Sequence, residues 1–508
     1  MKRKMDVLRK KSIEQTLEMT TEEGHRLKRN LGPLDLAFLA VSVCVGAGIF
    51  SVSTKVMTQN AGPSTIVSFV LAAFVCGLAA MCYAEFSTSI PVSGSAYSYS
   101  YAALGEIFAW IIGWDLILEL FLATAVIAKY WAIYVSDALN VFGIHSTLSF
   151  HIGDFKVDYG AAIVILFFTV LLSIGTKLSA RITNTMTCIK IGIVLVIIVA
   201  GFGYFSWENL TPFIPEAIPS DGSTVGILTD TLWGTITGFG GGHFGVGGMF
   251  AGAAIICFAY VGFDTVATAA EETKNPKRNV PIGIILGLGI VTVLYVSVAF
   301  VTCGMVNYVD LSEFAASQGR EVSLATAFLY HGANWQSAVI AVGAAVGLTT
   351  VIMVELFGVS RIIFAMSRDG LFPEKWSKTS DKSMTPVGIT VVIGIVAALV
   401  ATLTSVDELA DMINIGTLSA FVMVSIGVIF IRKNAKEHHL DQSKTFKVPL
   451  FPVLPIVSAV LCFVLMLNLT NVTWLRFLVW LLVGFIIYFT YSHRHAKINH
   501  DEVNKKEA

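Results

Sequence analysis

Val41-Ser42-Val43-Cys44-Val45-Gly46-Ala47-Gly48-Ile49-Phe50 is a glycine-interrupted stretch inside a segment apolar enough to cross a bilayer. A counterpart, Phe258-Ala259-Tyr260-Val261-Gly262-Phe263-Asp264-Thr265, follows about two hundred residues later in an equally apolar setting. Glycine weakens a helix by roughly 1 kcal/mol relative to alanine, so the paired interruptions mark where two spanning helices unwind. Inside hydrocarbon, unwound backbone is tolerated only where protein buries it or where it lines a cavity. Two broken helices at corresponding places in two halves of a chain point to the binding site of a secondary transporter. The competing reading of Gly46 and Gly48, close helix packing through small residues, accounts for one interruption but not the pair.

The rest of the chain agrees with a membrane setting. Of its 508 residues 55% are hydrophobic and 14% charged, where a soluble domain carries about 25% charged residues. Apolar runs of bilayer-crossing length recur twelve times, near 34–58, 64–89, 105–136, 159–175, 184–205, 247–272, 281–304, 336–366, 386–404, 407–431, 449–470 and 473–492. The expected class is all-α and polytopic.

Charge placement orients the chain. If the basic segment before residue 34 is cytoplasmic, twelve spans put the even-numbered loops and the last residues inside too. That arrangement places 28 of the 34 Lys and Arg residues inside and three outside, with Lys55, Lys129 and Lys190 left within spans. A wrong helix count does not readily produce such a bias. Both termini are expected to be cytoplasmic, and the first 30 residues show no apolar core of a cleavable leader. The seven cysteines lack metal-ligand spacing and read as small buried hydrophobes, with Cys44 set apart by its place in the first break. No metal, cofactor or nucleic-acid partner is expected.

The first ten spans divide into two sets of five, and an odd number per set inverts the second copy in the membrane. The expected layout is a tail at 1–33, a first five-helix repeat at 34–206 and an external connection at 207–246. A second repeat at 247–431 follows, then helices eleven and twelve with their preceding loop at 432–492, and a tail at 493–508. The run Gly238-Phe239-Gly240-Gly241-Gly242-His243 lacks the Lys-Ser/Thr ending of a phosphate loop and reads as part of a flexible connection.

The sequence resembles the amino acid–polyamine–organocation superfamily, most closely its bacterial cationic-amino-acid-transporter-like branch. The residues that carry the likeness are Gly46-Ala47-Gly48-Ile49-Phe50, Tyr83-Ala84-Glu85-Phe86 and Pro91-Val92-Ser93-Gly94-Ser95-Ala96-Tyr97. They continue with Phe258 to Asp264, Glu271-Glu272-Thr273-Lys274-Asn275-Pro276, and Ser360-Arg361-Ile362-Ile363-Phe364-Ala365-Met366-Ser367-Arg368-Asp369-Gly370. The resemblance implies a five-plus-five inverted-repeat, LeuT-like core that moves amino acids by alternating access in a cell membrane.

The chemistry of the breaks suits a zwitterion. Unwinding span one frees N–H groups at the start of its second half-helix, where the dipole favours a carboxylate. Cys44, Val45, Gly46, Ala47 and Gly48 bring that backbone close. The second break, with Gly262, frees carbonyls near Phe258, Ala259 and Val261 that can accept from an ammonium. By resemblance Phe258 covers the substrate; its other reading is a core aromatic. Many members of the superfamily carry Ser or Thr where this chain has Ala47, so here backbone groups are left to hold the carboxylate.

Ionisable residues inside spans are costly and usually functional. By resemblance Lys190 places its ammonium beside broken span one, where sodium-coupled relatives of the fold bind an ion. A lysine held away from water can gain and lose a proton near neutral pH, which makes Lys190 the expected proton-coupling residue; snorkelling is the alternative. Asp264 is expected to combine a structural and a coupling role. Asp115 and Glu119 share a helix face, with Glu119 the better pocket candidate and Asp115 bonding to nearby backbone. Glu85, Glu271, Glu272 and Arg361 read as gate or packing ion pairs. Glu355 faces either water or a residue of span three or five. Cys44 and Leu348 suggest a small or medium apolar pocket, hence neutral aliphatic substrates, with an exchanger or a cationic-amino-acid permease as alternatives.

Overall fold

The computed structural model describes residue 9 and residues 31–497, apart from 90–94, 142, 145–146, 153–154, 176–179, 219–223, 239–242, 270–272, 381–384 and 434–444. Pro91 to Gly94, most of the glycine run after Gly238, Glu271 and Glu272 therefore lie outside the described residues. So do most of the basic tail and the last residues of the chain.

The helix α1 (Pro33–Cys44) opens with Pro at its first turn, where the missing N–H costs nothing. It stops at Cys44, and the chain re-forms as a π-helical turn at Gly48–Val52, α2 (Ser53–Val56) and a second π-turn at Met57–Ala61. The elements α3 (Thr65–Ser89), α4 (Ser95–Ala103) and α5 (Glu106–Val141) follow. A two-stranded antiparallel hairpin, β1 (Phe150–Ile152) and β2 (Phe155–Val157), is the one sheet among the described residues. Next come α6 (Tyr159–Ser173) and α7 (Ala180–Gly201), then the short α8 (Thr224–Thr229) and α9 (Leu232–Thr237).

The second broken helix is α10 (Gly245–Tyr260) and α11 (Phe263–Thr268). After it come α12 (Pro276–Met305), α13 (Tyr308–Ser317), α14 (Leu324–Tyr330) and α15 (Asn334–Arg368). The chain ends with α16 (Val387–Leu403), α17 (Val406–Lys433), α18 (Val453–Leu467), α19 (Asn471–Ile487) and the single turn α20 (His493–His495).

Among the described residues seven helices are long and apolar enough to cross a membrane, and five shorter apolar helices have 10–17 residues. Each of the twelve apolar runs contains one of these helices or part of one. The run expected to begin at 281 starts five residues earlier, with Pro276 at the first turn and Pro281 inside the helix. The connection expected to be flexible is pinned where it is described. Leu232 N–H donates to Leu469 at 3.0 Å and Asn471 N–H to Asp230 at 2.9 Å, tying α8 and α9 to the start of α19.

Packing sorts the helices into a core and a rim. The helix α5 runs along α15, α1 along α12, α3 along α10, α6 along α16, α7 along α15, and α5 along α17. Outward faces carry exposed apolar side chains such as Phe167, Val170, Val199, Val293, Leu399 and Leu482. A band of that size is expected where hydrocarbon replaces water as the solvent. The chain is thus a multi-pass α-helical membrane protein.

Candidate substrate site

The two breaks meet. Val45 leaves the helical region with φ −71° and ψ 88°, and Gly262 takes φ +117°, which a side chain rarely adopts. Gly48 lies against Ala259 so closely that a Cβ there would overlap the Ala259 backbone. A Cβ on Gly262 would come within 2.6 Å of the Val43 side chain. The glycines therefore serve both purposes weighed from the sequence, since the interruption and the close approach occur at the same residues.

Hydrogen bonds stitch this junction. Cys44 Sγ donates to the Tyr260 carbonyl at 3.5 Å. The Tyr295 hydroxyl, on α12, lies 2.5 Å from the Cys44 carbonyl and 3.0 Å from that of Ala259. One hydroxyl thus spans a carbonyl from each break. Sequence reading missed Tyr295, because a lone tyrosine on an apolar helix gives no signal until its neighbours are known. Asp264 Oδ1 accepts from the Gly262 N–H at 3.2 Å, so its carboxylate fixes the turn between α10 and α11.

Of the carbonyls expected to receive an ammonium, that of Ala259 is engaged by Tyr295 and that of Phe258 takes the Val261 N–H at 3.3 Å. Each carbonyl oxygen keeps a second lone pair. Phe258, Val261 and Leu348 are all buried. Leu348 precedes Val351 by one turn, and Val351 faces Gly46, with 3.4 Å to where its Cβ would stand. That apolar face closes break one from the side of α15.

Replacing Tyr295 with phenylalanine removes a bond worth roughly 1 kcal/mol and takes away the one hydroxyl proton that the Cys44 and Ala259 carbonyls share. The expected outcome is a lower unfolding temperature and slower uptake, checked by thermal melts and initial-rate assays of one preparation.

Three lysines lie inside spans, and they are satisfied differently. Lys55 pairs with Asp407. Lys129 pairs with Asp158 at 2.5 Å and donates to the carbonyls of Ala401 and Thr404 at 2.8 and 2.6 Å. Lys190 is fully buried, and its Nζ donates to the Ser42 carbonyl at 2.7 Å. Among the described residues no carboxylate lies within ion-pair reach of it. Snorkelling does not describe this side chain, which ends on α1, the first half of the broken helix.

Carboxyl groups gather near the junction. Glu119 on α5, Glu355 on α15 and Asp264 lie within electrostatic range of one another, with Asp115 also near Glu119. Both Glu119 and Glu355 are buried, and Glu355 Oε2 has no hydrogen-bond partner among the described residues. The place left open for Glu355 is therefore beside spans three and six. Asp115 differs from expectation: its Oδ2 accepts from the Ser419 hydroxyl of α17 at 2.9 Å, rather than from neighbouring backbone.

The gate candidates also separate. Glu85 is buried and takes two bonds from the Arg432 guanidinium, at 2.5 and 2.6 Å, and one from the Val448 N–H at 2.6 Å. It locks the end of α3 to the end of α17. Arg361 is exposed, and its guanidinium lies over the Phe357 ring, 4.5 Å from the centroid. Among the described residues it forms no ion pair, and Glu271 and Glu272, read with it as gate or packing ion pairs, lie outside the described residues.

A cavity of about 350 Å³ lies one turn beyond the breaks, lined by Ser51, Lys55, Lys129, Tyr130, Asp158 and Asp407 among others. None of Cys44 to Gly48 and neither Phe258 nor Val261 lines it. Ser51 follows Gly48 in the same π-turn, so one lining residue of the cavity is three positions from the contact with Ala259.

Comparison with known proteins identifies the family. The family model described as "Amino acid permease" matches residues 31–490. The chain is 41% identical over 503 residues to a branched-chain amino acid permease, BcaP, of Bacillus subtilis (strain 168), covering 98% of this chain and all of that protein. It is 40% identical over 498 residues to a methylthioribose transporter of the same organism, covering 97% and 99%. With the vacuolar cationic amino acid transporter 2 of Arabidopsis thaliana it shares 36% identity over 422 residues, 80% of this chain and 60% of that one.

Proposed function

The chain belongs to the amino acid permease family, and on that premise we propose that it is a proton-coupled symporter of neutral, small or aliphatic amino acids in the cell membrane. It is a transporter and not an enzyme. The observation that carries the coupling is Lys190, buried on a backbone carbonyl of broken span one with no carboxylate beside it among the described residues. An ammonium in that position blocks a metal cation by charge and can release its proton when the break moves.

The proposed architecture is twelve spans with both termini cytoplasmic, the first ten forming two inverted sets of five. Helix packing supports it. If span one corresponds to span six and so on through five and ten, the contact of α1 with α12 has its counterpart in α10 with α3. That of α7 with α15 then matches α17 with α5, while α5 with α15 and α6 with α16 map onto themselves.

In the proposed cycle the substrate enters from the cavity at Ser51. Its carboxylate meets the N–H groups at Gly46 to Gly48, and its ammonium the carbonyls near Phe258 to Val261. Phe258 closes over it, and rocking about the junction opens the far side as Lys190 and Asp264 exchange the proton. The apolar faces of Leu348, Val351 and Phe258 support an aliphatic side chain, as does the substrate named for the branched-chain relative.

A second reading rests on Glu119 and Glu355. Two buried carboxyl groups near the junction suit a basic side chain, as in relatives named for cationic amino acids. The test is uptake of radiolabelled amino acids by purified protein in proteoliposomes, with and without an inside-alkaline pH gradient. Gradient-driven accumulation of leucine, valine or alanine without sodium supports the symport reading. Accumulation of lysine or arginine instead selects the second reading, and uptake that needs only internal amino acid makes the protein an exchanger.

A further inference from the structure

One side of α15 stays open along the helix and ends in charge. Trp335, Val342, Val346, half-buried Val354, Phe357 and Arg361 follow one another at intervals of three, four, seven or eight residues. Those intervals keep them on one side of a helix with 3.6 residues per turn. Other sides of the helix take α5, α7 and α16, and Ser360, Ile362 and Ile363 next to Arg361 are buried. Exposed Val342, Val346 and Phe357 mark this side as one turned to hydrocarbon. Arg361 shares it.

Length sets the level of the guanidinium. Trp335 is the second residue of α15 and is exposed, as tryptophans at a membrane–water boundary are. Arg361 comes 26 residues later, about 39 Å along the axis. The hydrocarbon core is about 30 Å thick, and the bilayer with its headgroups about 40–45 Å. Arg361 therefore reaches the headgroups of the opposite leaflet, where lipid phosphates lie.

The chemistry there suits a phosphate. The guanidinium lies 4.5 Å from the centroid of the exposed Phe357 ring, so the cation rests against an apolar surface. Its planar fork matches two phosphate oxygens. Among the described residues no carboxylate lies within ion-pair reach of it. Arg368, also exposed, follows seven residues later on the same side, about 10 Å further along the axis. Two cations on one face call for a headgroup of net negative charge, which a zwitterionic lipid does not supply.

We propose that this face of α15 binds an anionic phospholipid, with its phosphate on Arg361, its headgroup toward Arg368 and an acyl chain along Phe357 to Val346. The leaflet is the one at the Arg361 end, which the proposed topology makes the cytoplasmic one. Anionic lipid is concentrated in that leaflet. The site is independent of which amino acid is carried.

The test is native mass spectrometry of the full-length protein in a neutral detergent, titrated with phosphatidylglycerol or with phosphatidylcholine of the same acyl chains. The first phosphatidylglycerol is expected to bind about tenfold more tightly than the first phosphatidylcholine, and Arg361→Gln to remove that preference. Arg278→Gln, which removes an exposed cation from the first turn of α12, is expected to keep it. Should Arg361→Gln fail to fold, Arg361→Lys gives the same reading. It keeps the charge without the fork, and a drop of about threefold is expected. Equal binding of the two lipids by the unaltered protein overturns the proposal. So does a preference that survives Arg361→Gln, as it would if Arg361 served an ion pair within the protein. An equal loss in Arg278→Gln, the mark of unspecific attraction to a basic surface, overturns it too.

Discussion

Lys190→Ala is expected to abolish amino acid accumulation driven by a pH gradient while leaving exchange between internal and external amino acid measurable. The wild-type ammonium is buried, donates to the Ser42 carbonyl at 2.7 Å and touches Gly347 through its stem. Removing it deletes the one in-span lysine held by a backbone carbonyl alone among the described residues, whereas Lys55 and Lys129 keep their carboxylates. A residue that merely filled space would lower both activities together. The comparison is made in proteoliposomes containing equal amounts of each protein, with counterflow as the second readout. Accumulation that persists in the variant sinks the coupling role. Loss of counterflow as well points to a collapsed junction instead.

Gly48→Ala is expected to cut uptake by about thirtyfold, although alanine is the better helix former. Propensity favours the substitution by about 1 kcal/mol. Against that, a Cβ at this position overlaps the backbone of Ala259 rather than a side chain that could swing away. Overpacking against a fixed neighbour costs about 1–3 kcal/mol, and about 2 kcal/mol corresponds to thirtyfold. The steric term wins. Gly192→Ala is the matched control, since nothing lies within 4 Å of its Cβ. That variant is expected to transport normally and to melt at the same or a slightly higher temperature. Equal activity in the two variants would mean that the breaks do not need to touch.

The two breaks and the polytopic helical class were legible in the sequence because hydropathy marks each span and glycine weakens a span at a definite residue. Lys190 was legible for a related reason, since a charge in a span stands out against its neighbours. Residues whose importance lies in a partner were harder to see. Tyr295 carries no signal of its own until Cys44 and Ala259 are placed around it. The contact of the Arg361 guanidinium with the Phe357 ring was not legible either, because what lies over a ring depends on the packed side chains.

The sequence by itself determined where helices run and where they break, since hydropathy and glycine act within a few residues along the chain. Tertiary structure alone decided that the breaks abut through Gly48 and Ala259, and that Glu119, Glu355 and Asp264 gather beside them. It also decided that the open cavity stands one turn away at Ser51. The physical reason is range. Local propensity and transfer free energy belong to single segments, whereas close approach and hydrogen bonds between segments hundreds of residues apart exist only once the helices are packed.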